Sequence, residues 1–279
     1  MPRPRTAAGS EPGVRVGDLV RATHPGPAVA VTCLAVLLSV AAGNDAGRTG
    51  LLGLAVLSGQ LTIGWTNDLL DAERDRAVGR TDKPIATGAL PARAVRAAVA
   101  VALVGSVVTS LGCGLAAATT HLLLVVGSGW AYNAGLKQSL WSWAPYAVAF
   151  GSLPAVVTLA GRPAQLPPLW MLVCGSLLGV GAHVVNVLPD LADDAATGVS
   201  GMPHRLGERR ARWLAAAVLG TASVVAVLGP GGTVPGWAWA ALVLAAGLVT
   251  VAVRGSGRAP FRAAVGVALL AVAVLVLRG

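Results

Sequence analysis

The chain has 279 residues, of which 55% are apolar, 12% charged and 4% aromatic, with a mean hydropathy of +0.71. A soluble domain carries roughly 25% charged residues, so half the usual charge is missing. Disorder is excluded and a water-soluble globule is argued against. The 36 glycines show no three-residue period, which excludes collagen. A net charge of +9 would suggest a nucleic-acid partner in a soluble protein. In so apolar a chain it fits basic cytoplasmic loops instead, and no nucleic acid is expected.

Residues 1–26 are polar and read as a cytoplasmic tail; the first apolar run comes too late for a signal peptide. A membrane-crossing helix needs about 20 mostly apolar residues. Windows near 27–43, 51–66, 94–111, 113–131, 143–160, 169–187, 213–229, 235–252 and 260–277 qualify. Residues 27–279 are therefore expected to form an all-α, nine-helix bundle in the cell membrane. Pro25 and Pro27 suit the first helix start. With the N-terminus in the cytoplasm, only Arg48, Arg162 and Arg278 of the 21 basic residues fall outside, which supports both count and orientation. Cys33, Cys113 and Cys174 lie far apart in apolar stretches, so neither a disulfide framework nor a zinc site is readable.

Acidic residues are concentrated in the two inside loops 67–93 and 188–212. The first cluster reads Asn67, Asp68, Asp71 and Asp75; the second runs from Asn186, just before its loop, to Asp190 and Asp194. In both, an Asn is followed four residues later by Asp and four later again by Asp, then by Gly (Gly79, Gly198) and Pro (Pro84, Pro203). The constant offset of 119 residues marks an internal repeat, two units of about four helices plus one further helix. Four-residue spacing places carboxylates on one helix face, where like charges repel unless a cation joins them. A solvated loop is the plain alternative. A hard divalent ion with oxygen ligands, Mg²⁺, is the natural occupant, because it binds through one or two carboxylates plus substrate phosphates.

Basic residues follow each cluster: Arg74, Arg76, Arg80 and Lys83 after the first, His204 and Arg205 after the second. Arg80 and Lys83, directly beyond the acidic helix end, are the stronger phosphate ligands. Lys137 is the only charge between the fourth and fifth windows. It reads either as a further phosphate ligand or as a snorkelling side chain. His183 reads as a helix-packing polar group, and Trp65 either lines a cavity or belongs to an interfacial aromatic belt.

These residues resemble the UbiA superfamily of intramembrane prenyltransferases along essentially the whole chain. Asn67-Asp68-x-x-Asp71-x-x-x-Asp75 is similar to its NDxxDxxxD motif and Asp190-x-x-x-Asp194 to its DxxxD motif. Arg80-Thr81-Asp82-Lys83-Pro84 with Gly88 and Leu90 resembles the stretch that follows, and Tyr132 with Lys137 resembles the family's Y…K loop. The resemblance implies two Mg²⁺ ions, an isoprenyl diphosphate donor, a lipophilic acceptor that is usually aromatic, and a helical cavity open to lipid. It assigns Asp68, Asp71, Asp75, Asp190 and Asp194 to catalysis, joined by Asn67 and Asn186 as metal ligands. Asn67, Arg80, Lys83, Tyr132, Lys137, Asn186 and Arg205 would bind substrate. A membrane terpene cyclase of the same superfamily shares the ionisation step and stays open. A cation transporter fits less well, since transporter acids usually sit mid-helix.

Overall fold

The computed structural model describes residues 14–191 and 200–278. Among the described residues every regular element is helical. In chain order they are α1 (Val16–Arg21), α2 (Pro25–Ala41), α3 (Ala46–Ala77), α4 (Ala92–Gly112), α5 (Leu115–Asn133), α6 (Ala144–Leu159), α7 (Leu169–Val187), α8 (Met202–Leu206), α9 (Glu208–Leu228), α10 (Gly236–Arg254) and α11 (Ala259–Arg278). Short 3-10 turns cover Leu136–Gln138 and Leu188–Asp190, and Thr120–Val126 within α5 is wound as a π-helix. Prolines punctuate the chain. Pro25, Pro145 and Pro203 sit in first turns, and Pro91, Pro168 and Pro235 precede α4, α7 and α10. A missing N–H costs nothing there, because the first-turn donors have no intrahelical partner.

Six helices, α4, α5, α7, α9, α10 and α11, are long and apolar enough to cross a membrane. The expected count of nine is not reached on length and composition alone, for two physical reasons. Apolar α2 and α6 have 17 and 16 residues, roughly 25 Å at 1.5 Å per residue against a core of about 30 Å. Helix α3 has 32 residues, more than enough, but its last third is charged. With α4 exposing Val101, Val104 and Val108 and α10 exposing Val243 and Leu244, the chain is a multi-pass membrane protein.

Neighbouring helices close a ring in the order α2, α3, α5, α6, α7, α9, α11 and back to α2, with α4 outside on α3 and α10 outside on α9 and α11. Two apolar cores fill it: one holds Leu34, Leu52, Val56, Val125, Leu153 and Val156, the other Val184, Val185, Ala215, Leu219, Ala264 and Val267. In lipid no hydrophobic effect drives helices together, so close approach depends on small residues. Helices α6 and α7 show this. A Cβ on Gly179 would stand 2.3 Å from the Tyr146 carbonyl oxygen, so only glycine lets the two backbones meet.

The N-terminal segment lies across the end of α3. The Trp65 indole N–H donates to the Leu19 carbonyl at 3.0 Å, and a Cβ on Gly64 would stand 2.3 Å from the Thr23 carbonyl oxygen. Trp65 is buried with Ala22, Ala72, Ile85, Leu90 and Val95. It is neither a cavity wall nor a belt residue; it anchors α1.

Gly179→Ala should separate α6 from α7 and lower stability by roughly 1–3 kcal/mol, the usual cost of overpacking. Gly220→Ala, whose Cβ would meet nothing within 4 Å, should be neutral or slightly stabilising. Thermal unfolding of the two variants in one detergent compares them directly; equal melting temperatures would refute the close-contact account.

Candidate active site

The last turns of α3 carry Asp68, Asp71 and Asp75 on one face, and all three are buried, at 2%, 8% and 4% exposure. Glu73, off that face, is exposed. Helix α3 ends in a left-handed glycine: Gly79 has φ +71, and the Arg80 N–H reaches back to the Asp75 carbonyl at 2.9 Å. The chain then turns back along the helix, and Ile85 and Leu90 bury against Trp65 and Ala72. That return places Lys83 Nζ 2.6 Å from Asp68 Oδ1. His24 Nε2 contacts the same oxygen at 2.8 Å. Its residue takes a left-handed conformation between α1 and α2, so the strap over α3 delivers it.

Lys137 arrives from the other side. At the end of α5, the Asn133 side-chain amide donates to the Ile63 carbonyl at 2.8 Å and to Thr66 Oγ1 at 3.2 Å, fixing α5 to α3. The following 3-10 turn then directs Lys137 Nζ onto Asp71, 2.5 and 2.7 Å from the two carboxylate oxygens. Lys137 is buried at 7% exposure; it points inward and does not snorkel. Arg74 adds contacts of 3.2 Å to Asp71 and 4.0 Å to Asp75. Asn67, half-buried, lies one turn before Asp71 on α3.

Arg80 is placed differently from Lys83. Its guanidinium grips Asp82 through two contacts of 2.8 Å, and this pairing pulls the Asp82 carboxyl down to about 2. Both side chains are exposed.

The second motif departs from a single helix face. Helix α7 ends at Val187, one residue after exposed Asn186, and the chain tightens into the 3-10 turn Leu188–Asp190. Pro189 stands where the first repeat has Leu70, and a proline lacks the N–H an α-helix needs and clashes with the carbonyl four residues back. Asp193 and Asp194 lie outside the described residues. Beyond them, Ser142 Oγ accepts from the Met202 N–H at 2.9 Å and contacts His183 Nε2 at 3.0 Å. The Ser200 hydroxyl donates to the Gln138 carbonyl at 3.3 Å, and Arg205 Nε donates to the Ser200 carbonyl at 2.9 Å. The chain after the second motif is thereby seated on the loop that carries Lys137.

Aromatic rings from three helices gather beside this loop. Tyr132 meets Tyr146 edge-on at 5.2 Å, and His183 lies 4.9 Å from Tyr146 and 5.8 Å from Tyr132. His183 is a buried packing group, as its place on the apolar helix implies. His24, Ser142 and Tyr146 are the members of this constellation that sequence reasoning passes over. Only His24 leaves a trace, as a lone polar residue before the helix-opening Pro25.

The donors suit a hard cation. Asp68 Oδ2 is buried with no hydrogen-bond partner among the described residues, and the aspartates supply only oxygen, as Mg²⁺ prefers. Among the described residues no group of three His, Cys, Asp or Glu side chains is placed to hold a metal ion. Lys137 and Lys83 pair with the carboxylates.

Lys137→Met should lower the melting temperature, since removing one partner of a buried ion pair costs on the order of 3 kcal/mol. Asp71→Asn together with Lys137→Met should recover most of that loss. A double variant as unstable as the lysine variant alone would show that the pair is not coupled.

Residues 28–264 match the UbiA prenyltransferase family. The chain is 32% identical over 193 residues to the bacteriochlorophyll synthase 33 kDa chain of Cereibacter sphaeroides, an alignment that spans 63% of this chain and 61% of that protein. It is 31% identical over 230 residues to the digeranylgeranylglyceryl phosphate synthase of Natronomonas pharaonis, spanning 77% and 76%. Two solved structures share the fold. The apo UbiA homologue from Aeropyrum pernix K1 superposes with a TM-score of 0.72 at 17% identity, over 95% of this chain and 99% of that one. The UbiA homologue from Archaeoglobus fulgidus bound to GPP and Mg²⁺ gives 0.69 at 14% identity, over 94% and 99%. By sequence match along most of its length and by the arrangement of its helices, the chain belongs to the UbiA prenyltransferase family.

Proposed function

We propose that this protein transfers an isoprenyl group from an isoprenyl diphosphate to a lipophilic, aromatic acceptor within the membrane, releasing pyrophosphate in a Mg²⁺-dependent reaction. The observation that carries this reading is the buried row Asp68, Asp71 and Asp75 with Lys83, Lys137 and Arg74 laid against it. Carboxylates for a divalent ion and cations for phosphate oxygens stand together at the end of an apolar bundle. The family relatives point the same way: one homologue is described as bound to GPP and Mg²⁺, and the relatives named above are synthases.

Asp68, Asp71 and Asp75 would hold Mg²⁺ from the first repeat, with Asn67 beside them, and Asn186, Asp190 and Asp194 would supply ligands from the second. The bound ions supply charge neutralisation for the leaving diphosphate. On diphosphate binding, Lys83, Lys137 and Arg74 exchange carboxylate oxygens for phosphate oxygens, with charge-assisted hydrogen bonds of the same kind. Arg80 and Arg205 would add further diphosphate contacts. As the allylic C–O bond lengthens, positive charge grows on the prenyl carbon, and ring faces such as those of Tyr132 and Tyr146 favour a cation. The apolar helices limit water, which would otherwise consume it. The acceptor's electron-rich carbon forms the new C–C bond and loses its proton.

In purified protein with Mg²⁺ and an allylic diphosphate, pyrophosphate release should be slow until an aromatic acceptor is added, and then match prenylated product mole for mole. Asp71→Asn should cut that turnover at least about a hundredfold, a loss of the size typical for metal-assisted charge stabilisation. Glu73→Gln should cost far less, and EDTA should abolish release. Fast release without acceptor, leaving a cyclic hydrocarbon or terpene alcohol, would assign the protein as a cyclase. No release under any condition would overturn the reading.

All nine long helices are proposed to cross, with the N-terminus and both acidic loops in the cytoplasm. In a Cys33→Ala background, Thr81→Cys should be labelled by an impermeant maleimide only from the cytoplasmic side and Thr233→Cys only from outside. Labelling of both from one side would refute the topology.

A further inference from the structure

We propose that the face opposite the aspartates carries a separate binding site for the headgroup of an anionic phospholipid, whose acyl chain enters between α2, α6, α7 and α11. Two adjoining cavities open on that face, of about 420 and 470 Å³, and both are lined by Gly161, Arg162 and Pro163. Every basic residue of that face lines one of them: Arg48 the first, Arg278 the second, Arg162 both. Basic residues are scarce on this side of the chain, so their convergence on one crevice is not a consequence of loop composition.

Two of the three guanidiniums have structural partners. Arg48 donates to the carbonyls of Ala160 and Cys113, at the ends of α6 and α4. Arg278 donates to the carbonyls of Val227, Gly231 and Thr233, which ties α11 to the loop after α9. These are cations at helix C-termini, where the backbone dipole favours them. Arg162 is exposed on the loop between α6 and α7. The nearest acid is Asp45, the one acidic residue on that face among the described residues, and its carboxylate already caps α3 through the Arg48 N–H at 2.9 Å. Three arginines against one carboxylate leave the face positive.

The larger cavity is amphipathic along its depth. Its lining grades from exposed Arg162 and Gln165 through half-buried Trp170 and Leu275 to buried Leu38 and Val157. Thr158, on the same wall, has a buried hydroxyl without a hydrogen-bond partner among the described residues. A soluble anion would use the arginines and leave the apolar wall wet. A neutral lipid would use the wall and leave the Arg162 guanidinium facing its headgroup. A phosphodiester with an acyl chain satisfies both, since arginine takes phosphate oxygens in pairs and basic pockets between membrane helices recognise anionic headgroups.

The test is photo-cross-linking of the full-length protein in detergent with a phosphatidylglycerol carrying a diazirine near its glycerol end, followed by peptide mapping. Adducts should fall on the peptides containing Trp170–Met171 or Leu275. Excess unlabelled phosphatidylglycerol should remove them, while phosphatidylcholine or inorganic phosphate should not. Arg162→Gln, an exposed change expected to leave melting unaltered, should reduce those adducts about tenfold, the worth of one charge-assisted contact. Adducts on the basic loops of the opposite face should stay unchanged. Missing adducts, adducts that survive Arg162→Gln, or equal displacement by phosphatidylcholine would overturn the proposal. Displacement by inorganic phosphate alone would reassign the site to a free anion and overturn the lipid.

Discussion

Three carboxylates buried on consecutive turns of one helix repel one another, and burial strips them of the water that would screen that repulsion. Everything on that face of the protein is arranged around this constraint. The chain reverses at Gly79 so that Lys83 returns to Asp68; α5 is pinned to α3 through Asn133 so that Lys137 meets Asp71; the N-terminal strap brings His24 to the same row. None of these groups is placed by its own helix. Each is carried in by a different segment, and the segments are held by apolar contacts such as Trp65 with Ile85 and Leu90. A row of ammonium and guanidinium groups laid against the carboxylates is what such an arrangement supplies.

The scaffold shows how little a membrane bundle needs to achieve this. Small residues set the distance between α6 and α7, which in turn brings Tyr146 beside His183 and Tyr132. Ser142 then joins the Lys137 loop to α7 and to the chain following the second motif. The two halves of the aspartate face are thus coupled through the Ser142 and Ser200 hydroxyls at the lysine loop, while on the opposite face arginines sit on helix-terminal carbonyls.

The internal repeat also has a limit that one residue explains. The acids recur with a constant offset, yet the first set rides a continuous helix and the second begins in a 3-10 turn. Leu70 permits the helix to continue; Pro189 does not. The two sets of acids therefore begin on backbones of unequal shape.

The sequence by itself determined the helical membrane architecture, the places of the helices and the pairing of Asn67, Asp71 and Asp75 with Asn186 and Asp190. These follow from hydropathy, charge asymmetry and four-residue spacing, all local properties of the chain. It did not determine how many helices are long and apolar enough to cross, since α2 and α6 have only 17 and 16 residues. Only the tertiary structure decided the partners of the aspartates. Lys83 and Arg80 are three residues apart with the same charge, yet one lies on Asp68 and the other on Asp82, because the return of the chain after Gly79 aims them in different directions. Lys137 reads from the sequence as a phosphate ligand with a snorkelling side chain as the rival, and the fixing of α5 to α3 decides its direction; His24 has no motif at all. Pairings between residues 44 to 66 positions apart depend on which helices touch, and side-chain contact across a bundle leaves no periodic mark in the chain that makes it.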